Sequence, residues 1–245
     1  MTARRRKRSA AARIRPFWVP IGLAGLAAVA AGAFAATWSG FDPKNVQVTG
    51  NRRVSTAQIL RVAGIAPHIS IWLQPTRAIA RRIESIPYVG TVWIHRVPPA
   101  SLRIAVAERE PFAILDSWPE DAVVDRNLRV LEAATGDESL PELIVRPDIA
   151  LRPGAFVVTH DAAELRDAYE AMATRQIVPR SLALDRYGGL VVTLRDGLRV
   201  LIGQQNDLGQ KLTLVDAILA QIVRGQRRVA AIDVRAPSAP VIVYR

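Results

Sequence analysis

Residues 86–111 read Ile-Pro-Tyr-Val-Gly-Thr-Val-Trp-Ile-His-Arg-Val-Pro-Pro-Ala-Ser-Leu-Arg-Ile-Ala-Val-Ala-Glu-Arg-Glu-Pro. Tyr88 to His95 is a β-rich run. Leu102, Ile104 and Val106 then alternate with Arg103, Ala105 and Ala107 in the period-two pattern of a half-buried strand. Pro98-Pro99 supplies the connection between the two. Upstream, Pro87 stops a helix that Pro75 can enter in its first turn, with Ile79 and Ile83 one turn apart on one face. Before that helix, Ser55-Thr56-Ala57-Gln58 has the capping-box arrangement, in which a hydroxyl and an amide satisfy orphan backbone N–H groups. It opens a helix carrying Ile59, Leu60 and Val62 and closing at Gly64, a residue suited to the left-handed C-terminal position. Earlier still, Val46 and Val48 alternate with polar residues before Gly50-Asn51 turns the chain. The order strand, helix, helix, strand, strand buries two helices on one face of a three-stranded sheet and leaves an edge strand open to pairing.

Working outward toward the N-terminus, the 26 residues from Pro16 to Phe41 carry no charge. About 20 apolar residues at 1.5 Å each cross a ~30 Å hydrocarbon core. Trp18 and Trp38 bracket the stretch, and Arg4, Arg5, Arg6, Lys7, Arg8, Arg13 and Arg15 precede it without a single acid. These seven cations are topology determinants that place the N-terminus in the cytoplasm and everything after Phe41 outside it. They also suit an anionic lipid surface. A cleavable signal peptide ending at Ala33-Phe34-Ala35 and a buried core helix are the competing readings of the same run. Its length exceeds the 7 to 15 residues usual for a signal-peptide core, which favours a retained anchor.

Charge sharpens the picture. The chain of 245 residues holds 33 Lys or Arg against 22 Asp or Glu, for a net charge of +11. Removing the seven N-terminal cations leaves +4, an ordinary figure read here as spread over the folded part, and no argument for nucleic-acid binding. The absence of cysteine excludes disulfide scaffolds, thiol nucleophiles and cysteine-ligated metals.

Downstream of Pro111, the short apolar runs Ala122 to Val124, Leu128 to Leu131 and Leu143 to Val145 point to a second, β-rich domain. A helix is expected over Asp161 to Thr174, with Leu165, Ala168, Tyr169 and Met172 on one face. The strands Leu190 to Leu194 and Leu198 to Ile202 flank Arg195-Asp196-Gly197 in a hairpin. Leu208, Leu212, Val215, Leu219 and Ile222 mark an amphipathic helix packed on the sheet. Val229 to Val234 and Val241 to Tyr244 read as the last two strands.

Constellations that carry chemistry are thin. His68, His95 and His160 lie far apart, and His160 to Glu164 lacks the second histidine of a zinc-binding helix. Gly203 to Lys211 departs from phosphate-loop spacing and reads as a strand-to-helix turn. The acid pairs Glu108/Glu110 and Glu120/Asp121 are sequence neighbours that do not converge on a cleft. The expectation is a protein without catalytic, cofactor-binding or metal-binding residues, whose useful surfaces are strand edges. A membrane-anchored envelope enzyme acting on peptidoglycan and a membrane-bound nucleic-acid binder are the rivals.

Several segments also carry a family resemblance. Val-Gln-Val-Thr-Gly-Asn at 46–51, Ser-Thr-Ala-Gln-Ile-Leu at 55–60 and the 86–111 stretch resemble the POTRA domain of the FtsQ/DivIB family of bacterial cell-division proteins. Val-Val-Asp-Arg-Asn-Leu-Arg-Val-Leu at 123–131, Leu-Pro-Glu-Leu at 140–143, Leu-Ile-Gly-Gln with the downstream Lys211, and Ala-Ile-Asp-Val-Arg-Ala-Pro at 231–237 resemble that family's β domain. The resemblance implies an α+β fold in four parts: a basic cytoplasmic tail over 1–15, a transmembrane helix over 16–41, a POTRA domain of order β-α-α-β-β over 42–110, and a mixed β-rich domain with packed helices over 111–245.

It further implies a non-enzymatic, bitopic inner-membrane scaffold at the division septum, linking early division proteins to septal peptidoglycan synthesis. Its β domain would recruit FtsB/FtsL (DivIC/FtsL) type partners through its last strands, with neither a nucleic acid nor a small-molecule substrate. Carried onto this chain, Asp233, Arg235, Pro237 and Ser238 occupy the motif before the partner-binding edge, and Val241, Ile242, Val243 and Tyr244 form that edge. The exposed aromatic position that follows the arginine in the family is Ala236 here. Glu108-Arg109 fits a family motif, with Arg109 open to either an ion pair or a partner contact.

Overall fold

A computed structural model describes residues 15–136, 139–146, 149–225 and 228–244, and the chain separates into two units, Met1–Ile83 with Thr91–Ala107 and Glu84–Gly90 with Glu108–Arg245. The first unit begins with helix α1, Arg15–Ala36, uncharged after Arg15, whose side chains over 19–34 are exposed and whose last residue, Ala36, is half-buried. Among the described residues no helix is long and apolar enough to cross a membrane, so the span expected over 16–41 is not shown. The six cations from Arg4 to Arg13 and the side chain of Arg15 lie outside the described residues.

Next come strand β1 (Asn45–Thr49), helices α2 (Thr56–Ala63) and α3 (Thr76–Glu84), and strands β2 (Val89–Val97) and β3 (Ser101–Glu108). The sheet order is β1-β3-β2, with β1 parallel to β3 and Val48 opposite Ile104. A parallel pair needs a crossover, and the two helices form part of it. Ile59, Ala63, Ile79 and Ile83 of those helices are buried, as are Leu102, Ile104 and Val106 on the inward face of β3. Of the signals expected to start and end α2, the Ser55 hydroxyl cap and the Gly64 stop are present. Ser55 Oγ accepts from the Gln58 N–H at 3.2 Å, and Gly64 ends the helix at φ 56°. Gly50, at φ 86°, has no alternative residue, because a Cβ there would lie 2.1 Å from the Val106 carbonyl oxygen.

The second unit is a nine-stranded sheet in the order β12-β11-β10-β9-β8-β7-β4-β5-β6. Its strands are β4 (Ala113–Asp116), β5 (Ala122–Val124), β6 (Val130–Ala133), β7 (Glu142–Ile144), β8 (Pro179–Leu184), β9 (Leu190–Leu194), β10 (Arg199–Gly203), β11 (Val229–Asp233) and β12 (Val241–Tyr244). β4 and β8 are strands that sequence patterning did not indicate. The pairs β4/β7, β7/β8 and β10/β11 are parallel. Two of those crossovers contain a helix: α4 (His160–Ala173) lies between β7 and β8, and α5 (Leu208–Gly225) between β10 and β11.

Leu165, Ala168 and Met172 of α4 share one core with Leu212, Val215 and Ile218 of α5 and with Leu143, Leu182, Val192, Val200 and Ile232 of the sheet. Tyr169 is only partly buried and meets Phe112 edge-on at 5.1 Å. Lys211 is drawn into this core. Its Nζ donates to the carbonyls of Ile202 at 3.1 Å and Gln204 at 2.5 Å, tying α5 to the end of β10.

The charge left after the N-terminal cluster is not evenly spread. Residues 42–83 and 91–107 of the first unit hold nine Lys or Arg against one acid, Asp42, whereas the second unit holds 17 basic and 21 acidic residues. The modest +4 is therefore the sum of a +8 region and a −4 region. Composition alone averages over that asymmetry.

Candidate partner-binding edge

β12 lies at one end of the nine-stranded sheet, antiparallel to β11, with Asp233 opposite Val241, Ile232 opposite Ile242 and Ala231 opposite Val243. Successive side chains of a strand point to opposite faces. Ile242 packs against the core, while Val241 and Val243 lie on the other face, 56% and 49% exposed. Tyr244 is also half exposed and places an aromatic ring at the edge. Apolar side chains left out of the core beside a terminal strand are the groups a β-adding partner would cover.

The turn that delivers the chain to β12 is shaped by a local clamp. Asp233 accepts from the Arg235 backbone N–H at 3.0 Å, and its two oxygens receive the guanidinium from Nε at 3.0 Å and Nη2 at 2.6 Å. These side-chain hydrogen bonds hold the Asp233 carboxyl below the usual carboxylate range, partly opposed by burial. The stem of Arg235 lies over Gly203, where a Cβ would come within 2.8 Å of Arg235 Cγ. Asp185 contributes to the field at Arg235, and its own carboxyl is lowered first by backbone N–H groups of Gly189 and Tyr187. Asp233 and Arg235 are therefore spent largely on each other, whereas Pro237 is half-buried and Ser238 exposed in the turn itself. The sequence reading took Gly203 only as the start of a strand-to-helix turn and passed over Asp185, since the partner that makes each of them matter is remote in sequence.

At the opposite end of the sheet, the start of β6 is covered by another segment of the same unit. On the flank of β6, the Val130 N–H donates to Ala155 O at 2.9 Å, Gly154 N–H to Val130 O at 2.8 Å and Val157 N–H to Leu128 O at 2.9 Å. Arg129 forms a bridge with Phe156. Nearby, Arg109 pairs with Asp125 and donates to Val89 O at 3.2 Å, which answers the question about Arg109 in favour of an ion pair. Arg129, held below its ordinary basicity by burial and by Arg109, donates to Glu84 O at 2.8 Å.

Two family models match the chain: the FtsQ-type POTRA domain over residues 41–109, and the C-terminal region of cell division protein FtsQ/DivIB over residues 115–235. The chain belongs to the FtsQ/DivIB family of cell-division proteins. Curated relatives named cell division protein FtsQ include one from Mycolicibacterium smegmatis, 26% identical over 73% of this chain and 52% of its own length. Another, from Corynebacterium glutamicum, is 23% identical over 75% of this chain and 80% of its length. A third, from Thioalkalivibrio sp., is 28% identical over 84% of this chain and 85% of its length. The chain thus spans about half the length of the M. smegmatis FtsQ. The C-terminal family match ends at Arg235, so β12 lies beyond it. Among the described residues, no three His, Cys, Asp or Glu side chains gather to hold a metal ion.

Proposed function

We propose that this chain is a bitopic scaffold of the division machinery that recruits FtsB/FtsL (DivIC/FtsL) type partners to the septum by strand addition to β12. The observation that carries the reading is the position of β12, the terminal strand of the large sheet, with Val241, Val243 and Tyr244 exposed along it. A terminal strand offers backbone donors and acceptors for pairing, and exposed alternate side chains give the partner something to recognise. The Asp233–Arg235 clamp supports it by fixing the turn that presents the strand.

The anchor belongs to the same proposal. The 26 uncharged residues from Pro16 to Phe41 exceed the about 20 that a helix needs to cross a hydrocarbon core of about 30 Å. The cations from Arg4 to Arg15 on its N-terminal side favour a cytoplasmic N-terminus and extracytoplasmic folded units.

The test is capture of an FtsB-like coiled-coil partner by the full chain, with septal localisation of a fluorescent fusion read in parallel. Replacing Val241 and Val243, whose side chains are exposed, together with lysine places two charges on the strand edge and should abolish capture. Circular dichroism and the unfolding midpoint of the variant should stay close to those of the parent protein. Undiminished capture by a folded double variant removes the edge-strand mechanism, and diffuse localisation of the parent removes the septal role.

A further inference from the structure

The first unit carries an apolar surface that strand pairing does not use. Trp38 stands two residues beyond the end of α1 and meets Phe41 edge-on at 5.5 Å, and Phe41 meets Trp72 edge-on at 6.4 Å. The segment between α2 and α3 adds Ile69 and Leu73 beside Trp72, all three at least 41% exposed, while Ile71 between them is fully buried.

This segment is held in shape from beneath. The Gln74 amide, itself buried, donates to the carbonyls of Ala66 at 2.7 Å and Ile69 at 2.8 Å. The Arg96 guanidinium donates to Ile71 O at 2.6 Å and to Gln74 O at 3.1 Å. The Ile71 N–H donates to Phe41 O at 2.8 Å, which ties the segment to the end of the α1 connection.

Two properties of this arrangement bear on what covers it. A backbone entering a water-poor environment must have its polar groups satisfied internally, and four carbonyls of this segment are satisfied by Gln74 and Arg96. Tryptophan in particular favours the headgroup level of a bilayer, where an amphipathic ring meets both phases. The surroundings carry the matching charge: residues 42–83 and 91–107 have nine cations against Asp42, with Lys44 exposed three residues after Phe41 and Arg77 exposed four residues after Leu73. Cations of this kind are attracted to anionic headgroups.

We infer that Trp38, Phe41, Ile69, Trp72 and Leu73 form an interfacial foot that seats the POTRA unit on the outer face of the membrane its own helix enters. The inference rests on α1 being a membrane span, and it adds that the unit lies on the bilayer and does not stand clear of it on a tether. Covalent continuity selects the occupant, because a patch that begins two residues after an apolar helix is delivered to the lipid surface by that helix.

The chain has no cysteine, so single-cysteine variants accept one label each. The full chain carrying Leu73→Cys, Val29→Cys or Val223→Cys is labelled with bimane and reconstituted in phosphatidylethanolamine/phosphatidylglycerol vesicles. Nitroxide lipids with shallow or deep spin labels then report depth, and aqueous iodide reports exposure to water. The label at 73 should lose fluorescence to shallow nitroxide, the label at 29 to deep nitroxide, and the label at 223 only to iodide.

A label at 73 quenched only by iodide, while 29 remains deep, overturns the foot and leaves the anchor standing. A label at 73 shielded from all three quenchers means that protein, such as a second copy, covers the patch, and also overturns it. A label at 29 open to iodide defeats the span and the inference with it. In a Trp72→Asp background with unchanged circular dichroism, shallow quenching at 73 should fall; unchanged quenching shows that the aromatic cluster does not hold the unit down.

Discussion

The two ends of the nine-stranded sheet solve the edge problem in opposite ways. Beside the start of β6, residues 154–157 supply backbone partners to Leu128 and Val130, and the Phe156 ring lies within 5.7 Å of both the Arg109 and Arg129 guanidinium carbons. At the other end, among the described residues no strand lies beyond β12, and two valines remain half exposed. Unprotected edges invite unwanted pairing, so a fold that covers one end and presents the other has an asymmetry that a purely structural sheet does not need. The same strand type thus has two jobs: β6 closes a core, and β12 offers a surface.

The largest effect that separates the two ends is on stability. Leu128, buried in the core at the β6 end, should cost about 2 to 5 kcal/mol when replaced by alanine, read from denaturant unfolding. Val243→Ala at the β12 end should stay within about 0.5 kcal/mol of the parent protein. Equal losses at the two sites show that β12 is as deeply built into the unit as the β6 end, and the contrast collapses.

Much of this architecture is legible in the sequence because particular residues signal their own positions. The alternation of Leu102, Ile104 and Val106, the Ser55 and Gly64 caps and the Arg195-Asp196-Gly197 turn each act over a few residues and reappear in the structure. β4 was invisible for the opposite reason: Ala113, Ile114 and Leu115 are buried in succession, so no alternation marks them as a strand. β8 opens with Pro179 and carries Arg180, features that argue against a strand until parallel pairing with β7 and antiparallel pairing with β9 enclose it. At the candidate edge, Val241–Tyr244 could be read as a strand. Gly203 and Asp185 could not be tied to Arg235, since that contact exists only once β10 and β11 pair in parallel.

Charge at the edge should separate the ends by binding. A lysine in an edge strand discourages strand addition, so Val243→Lys should weaken capture of the FtsB-like partner about tenfold, a change of about 1.4 kcal/mol. Ala133→Lys, at the exposed end of β6, should leave capture unchanged. Loss of capture in both variants places the determinant outside β12.

A smaller effect tests the turn that feeds the edge. Gly203 has φ 72°, and a methyl group there would press on the Arg235 stem. Gly203→Ala should cost about 1 kcal/mol or more in unfolding, with capture weakened beyond what the stability loss explains. If capture per folded molecule is unchanged, the Arg235 position does not govern how β12 is presented.

The smallest effect is a pH dependence of that clamp. Hydrogen bonds from Arg235 depress the folded-state pKa of Asp233, so the carboxylate binds protons less readily folded than unfolded. Its stabilisation is then fully present above the ordinary aspartate value of about 3.9 and is lost as pH falls through that value toward the lower folded one. Unfolding midpoints of the parent protein and Asp233→Asn should therefore differ at pH 6 and converge as the pH falls below about 4. Asp185 shifts in the same direction through the Gly189 and Tyr187 N–H groups, so the comparison is made in an Asp185→Asn background. A difference that stays constant or widens in acid would mean that the Asp233 carboxylate contributes nothing electrostatic to the turn, leaving shape alone, through Gly203 and Pro237, to set apart the open end of the sheet from the covered one.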